Sequence, residues 1–99
     1  MATRMRRSSG NVFRDLGFPP AEAESLRIRS ELMARLRKVI DDKEMTQAAA
    51  ARLFGVSQPR VSDLVRGRIE LFSIDTLVNM LAKAGLRATL TIRARTRAA

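Results

Sequence analysis

Residues 47–64 read Gln47-Ala-Ala-Ala-Ala-Arg-Leu-Phe-Gly55-Val-Ser-Gln-Pro-Arg-Val61-Ser-Asp-Leu64. The alanines are strong helix formers, and Thr46 in front of the stretch is a good N-cap. Gly55 tolerates the positive φ that ends a helix. Ser57 is a second N-cap, and Pro59 suits the first turn of the helix that it opens. That helix runs to about Arg66, where Gly67 stops it. Two short helices joined by so tight a turn cross steeply, so the first needs a small residue at the crossing. Ala51 supplies it. The buried positions are then Ala50, Phe54, Val56, Val61 and Leu64, all apolar, and the outward positions Gln58, Arg60 and Ser62 are polar. The spacing predicts a helix-turn-helix.

The flanks complete a small helical domain. Upstream, residues 21–43 carry Leu26, Met33 and Ile40 at intervals of seven, with Leu32, Leu36 and Val39 between them. This is the broad apolar stripe of an amphipathic helix. Glu22 and Glu24 lie near its N-terminal end and Arg37, Lys38 and Lys43 near its C-terminal end, placements that the helix dipole favours. Downstream, Ser73 caps a helix over 73–84 whose buried stripe is Ile74, Leu77, Val78, Leu81 and Ala84, ended by Gly85. In 86–93 the period changes to two. Leu86, Ala88, Leu90 and Ile92 alternate with polar residues, which predicts a half-buried β-strand.

The predicted fold is therefore mostly α, a compact helical domain with a short C-terminal strand. Residues 1–20 read as a weakly structured basic segment interrupted by Val12, Phe13, Leu16 and Phe18. Val12, Phe13 and Phe18 either staple onto the domain or wait for a partner. The domain proper spans 21–93, and 94–99 is a basic tail.

With 99 residues, no Cys and no His, the chain offers one domain, no disulfide and no thiolate. The commonest general base and metal ligand are missing too. Asp41 and Asp42 are helix-end neighbours that diverge, and no Gly-rich phosphate loop is present, so an enzyme is not expected and no metal or cofactor is implied. The formal charge of +9 makes a polyanion the natural partner. A membrane is the weaker choice, because the polar face of the long helix is charge-neutral, with five acidic and five basic residues in 21–42. No stretch approaches the roughly 18–20 apolar residues of a bilayer span. The N-terminal arginines are followed neither by an apolar signal core nor by a long presequence helix. The expected location is cytoplasmic, at the nucleoid.

The charge is concentrated. Residues 1–14 hold four arginines and 93–99 three, with no acid in either, whereas 15–92 hold 12 basic and 10 acidic residues. Within that body, Arg52, Arg60, Arg66 and Arg68 against Asp63 place the excess on the predicted motif.

The stretch from Met45-Thr-Gln-Ala to Ser62-Asp-Leu-Val-Arg-Gly67 resembles the XRE, or phage Cro/repressor, type of helix-turn-helix. The flanks from Glu22 to Leu32 and from Ile69 to Leu81 resemble HigA-like antitoxins of type II toxin–antitoxin modules. The resemblance covers roughly residues 11–93. It implies a sequence-specific repressor of double-stranded DNA that neutralises a RelE/HigB-like ribonuclease toxin and autoregulates its operon. The alternative is a stand-alone XRE regulator. In such a fold the second motif helix enters the major groove. That places Ser57, Gln58, Pro59 and Arg60 nearest the bases and Ser62 and Asp63 one turn on. Gln58 suits adenine, Arg60 a guanine or a phosphate, and Asp63 either accepts from cytosine or repels phosphate and narrows the permitted register. Gln47 resembles the family glutamine that holds a phosphate and buttresses the groove-facing one, and Arg66 and Arg68 suit the backbone. Candidate toxin contacts are residues 8–20 and the acidic face of Glu22, Glu24 and Glu31.

One helix makes too few base contacts to find a genomic site, so a homodimer on a two-fold operator is expected. The strand at 86–93 needs a partner. Pairing with a second copy would give an isologous interface. A toxin strand or residues 10–18 of the same chain are the other choices.

Overall fold

The computed structural model describes residues 10–94. Five α-helices and one 3-10 turn follow one another: α1 (Val12–Asp15), α2 (Pro20–Asp42), α3 (Gln47–Phe54), α4 (Gln58–Val65), the 3-10 turn Ile69–Leu71, and α5 (Ile74–Lys83). Helix α2 is the scaffold. It packs against α5, holds α1 along its N-terminal half and meets α4 farther along. The core draws Met33, Leu36 and Ile40 from α2, Ala50, Ala51 and Phe54 from α3, Val61 and Leu64 from α4, and Leu77, Met80 and Leu81 from α5, with Phe72 just ahead of α5. The apolar stripes read from the sequence supply most of it. Val78 faces outward instead, and Met80 takes the interior place.

Helices α3, α4 and α5 begin alike. The hydroxyls of Thr46, Ser57 and Ser73 accept from the backbone N–H groups of Ala49, Arg60 and Thr76, at 3.1, 3.3 and 3.1 Å. Each cap follows an apolar residue (Met45, Val56, Phe72), and the fourth helical position is buried (Ala50, Val61, Leu77). This is the pattern of a hydrophobic staple, which fixes the angle at which the chain enters a helix.

Residues 86–93 correct the expectation of a strand. They lie outside any regular element, and every residue from Arg87 to Ala94 is exposed. The N–H of Leu86 donates to the Leu81 carbonyl at 2.9 Å, which ties the root of the segment to α5. The physical reason is simple. Alternation says which side chains share a face, but a strand exists only through ladder bonds, and five helices offer no sheet edge. The described part of the chain is accordingly all-helical.

Residues 11–18 dock onto α2, one of the two fates open to them. Asn11 is buried. Its side-chain oxygen accepts from the N–H groups of Phe13 (2.9 Å) and Arg14 (3.4 Å), and its amide donates to the Ala23 carbonyl at 3.1 Å. The rings of Phe13 and Phe18 meet edge to face, 6.1 Å between centroids. Residues 1–9, and 95–99 of the basic tail, lie outside the described residues. Asn11→Ala removes a cap and leaves the Ala23 carbonyl without this donor, a loss of about 1–2 kcal/mol. It is expected to accelerate amide exchange across 12–18 while the global unfolding midpoint moves little.

Candidate nucleic-acid interface

The three residues between α3 and α4 set the crossing. Gly55 takes the left-handed conformation at φ 71° and ψ 34°, with its N–H on the Ala51 carbonyl. The N–H of Val56 donates to the same oxygen at 3.0 Å. This doubled acceptor is how a helix of small residues ends abruptly. Ser57 returns to extended backbone, φ −75° and ψ 159°, and caps α4 with Pro59 in its first turn. A Cβ on Gly55 would stand 2.7 Å from Cδ of Lys83, whose stem lies over the turn. Gly55→Ala therefore combines a left-handed alanine, about 1–2 kcal/mol, with a displaced lysine. It is expected to lower stability by that amount in denaturant titration.

Helix α4 presents two faces. Val61 and Leu64 are fully buried. Successive residues turn by about 100°, so Pro59, Ser62, Asp63 and Arg66 lie opposite them, with Gln58 at the margin. Gln58, Pro59 and Arg66 are exposed, and Ser62 and Asp63 are half-buried. Ser57 stands at the exposed N-terminal end of this face, and Gln47 is half-buried in the first turn of α3. Val56, expected inside, is only partly buried against the core.

Two of the candidate arginines are engaged within the chain. Nε of Arg68 pairs with Glu70 at 3.0 Å. The carboxyl of Glu70 is held below its ordinary value by its own backbone N–H first and by Arg68 second. Arg60 turns back along the protein: Nη1 donates to the Leu71 carbonyl at 2.9 Å, and the guanidinium carbon lies 4.6 Å from the centre of the Phe72 ring. Arg66 remains an exposed arginine on the outward face.

Residues 12–93 match a family model described as a helix-turn-helix domain. A solved structure assigned to the XRE family of transcriptional regulators is similar at a TM-score of 0.70 and 33% identity, over 79% of this chain and 88% of that one. The chain belongs to the XRE family of helix-turn-helix transcriptional regulators. No curated protein matches it.

As an XRE helix-turn-helix regulator the chain binds DNA. No helix among the described residues is long and apolar enough to cross a membrane. Sequence reasoning missed the arginines that support this XRE motif from behind. Nη1 of Arg37 on α2 donates to the Leu64 carbonyl at 3.5 Å, and Nη1 of Arg29 reaches the carbonyls of Ile69 and Phe72 at 3.3 and 3.5 Å. Their spacing in α2 is that of ordinary solvated charges, so only the fold reveals what they hold.

Proposed function

We propose that this regulator is a dimeric, sequence-specific repressor that sets α4 of each subunit in the major groove of a two-fold operator. The observation that carries this reading is the outward face of α4. Gln58, Pro59 and Arg66 stand exposed on a helix whose opposite side, Val61 and Leu64, is anchored in the core. Gln58 pairs with adenine through its amide, Ser57, Ser62 and Asp63 shape the fit to neighbouring bases, and Gln47, Arg66 and Arg68 hold phosphates. A dimer spaces two such helices by about 34–36 Å. The segment 86–93 supports dimerisation: Leu90 and Ile92 are 70% and 86% exposed, an apolar arm without cover in the single chain.

The regulator further serves as an antitoxin to a RelE/HigB-like ribonuclease toxin. The flanking sequences support this, as does α1, which carries Val12 and leads into Leu16, both exposed, on the N-terminal half of α2. On the acidic face of α2, Arg27 bridges Glu24 and Glu31, so the pairing there is already partly internal.

The test is retention of a labelled duplex of its own promoter against an unrelated duplex of equal length, with the mass of the complex measured by sedimentation. Selective retention of two protein copies is expected. Equal retention of both duplexes defeats the repressor reading. For the antitoxin role, the product of the adjacent gene should co-purify and lose ribonuclease activity. If no toxin does so, a stand-alone regulator remains.

A further inference from the structure

The turn after α4 is gripped by two arginines from different helices. Arg60, in α4 itself, donates to the Leu71 carbonyl at 2.9 Å with its guanidinium against the Phe72 ring. Arg29, in α2, donates to the carbonyls of Ile69 and Phe72 at 3.3 and 3.5 Å, and its Nε is steadied by the Ser25 hydroxyl at 3.3 Å. Three carbonyls of the segment Ile69–Phe72 thus meet guanidinium donors, and Phe72 is buried with 1% exposure. Helix geometry agrees. Arg60 is one turn before Leu64, on the flank of the buried face and about 100° away from Pro59.

We infer that Arg60 is a positioning residue, which locks α4 to the turn leading into α5 and thereby fixes how α4 is presented, rather than a contact to bases or phosphate. This rests on the groove reading of α4. A short helix with a three-residue turn before it is held in direction by what grips its far side. The guanidinium suits that task. Its central carbon lies over the ring while Nη1 donates to the carbonyl, and an ammonium, a single compact charge, cannot do both in the same way.

The alternatives differ in what they do to binding. An arginine on phosphate contributes about 0.9 to the slope of log affinity against log salt. An arginine on guanine carries the preference at one base pair. A positioning arginine carries neither.

The experiment compares the wild-type protein with Arg60→Ala and Arg60→Lys on a duplex selected from a random library by the wild type, and follows backbone amide exchange of the free proteins. For Arg60→Ala the inference expects faster exchange at Leu71 and Phe72 and an unchanged salt slope. It also expects an unchanged order of base preference at every operator position. Specific affinity should fall about tenfold per subunit, the scale of one lost charge-assisted hydrogen bond. Arg60→Lys should recover part of both the protection and the affinity.

A salt slope smaller by about one per subunit, or a preference flattened at one base pair, overturns the inference. Wild-type exchange at Leu71 and Phe72 in Arg60→Ala overturns it as well. If Arg60→Ala does not fold, Arg60→Lys is read by the same slope, preference and exchange criteria. If the wild type selects no duplex, the groove reading fails, while the exchange measurement still decides whether Arg60 holds the turn.

Discussion

Phe54→Ala is expected to abolish the folded state near physiological temperature. Phe54 ends α3, is 1% exposed, and shares the core with Leu36, Val61, Leu64 and Leu77. It is therefore the side chain around which α3 and α4 are set on the scaffold. Removing a buried phenylalanine costs about 3–5 kcal/mol, through lost transfer energy and the cavity left behind. Small domains have about 0.05–0.15 kcal/mol of stability per residue, and a domain this small belongs at the lower end of the resulting range, where the loss approaches the whole. Circular dichroism during urea titration should show a helical baseline already lost, or a midpoint close to zero denaturant. The control is Leu53→Ala, next to it on the same helix but only partly buried. That substitution should cost clearly less and leave a cooperative transition. Equal effects at the two positions would mean that the core is not organised around the end of α3.

Gln58→Ala combined with Arg66→Ala is expected to produce the largest loss of specific DNA binding at unchanged fold. Both side chains are exposed, and neither belongs to the core. Surface substitutions of this kind usually move stability by no more than about 0.5 kcal/mol. The two contributions are separable. A bidentate amide on adenine is worth about 1–3 kcal/mol of discrimination, and a dimer makes that contact twice. The preference for the operator over other duplexes should therefore fall by about 30-fold to 20,000-fold. In the proposed function Arg66 acts on phosphate, so its loss should weaken binding to every duplex alike and lower the salt slope by about one per subunit. Gel retention across a salt series, with melting curves for both proteins, measures all of this. A double variant that keeps the operator preference while losing only the salt slope would restrict α4 to backbone contacts.

The fold was legible wherever the sequence states local geometry. Thr46, Ser57 and Ser73 announce helix starts, Gly55 and Gly85 announce ends, and the sevenfold spacing of Leu26, Met33 and Ile40 announces the scaffold helix. Phe72 was legible in principle too, since an apolar residue directly before Ser73 is a staple signal. Where the structure departs from the sequence pattern or adds to it, the reasons are physical. Treating Gln58, Arg60 and Ser62 as one outward set steps by two, which is the period of a strand. At 3.6 residues per turn Arg60 swings to the flank, where Leu71 and Phe72 hold it. The alternation in 86–93 was real, but a strand depends on a partner that a single helical chain does not contain. The roles of Arg29 and Arg37 depend on carbonyls 40 and 27 positions away, which no local pattern encodes.

The face of α4 can be tested base by base. The operator is varied one base pair at a time, and the affinity of each duplex is measured for the wild type and for Gln58→Ala. The expected result is one adenine position in each half-site at which the wild type discriminates and the variant does not, with the remaining positions unchanged. A preference profile that is the same for both proteins at every position would show that α4 does not read the operator through Gln58, and the groove assignment would have to be abandoned.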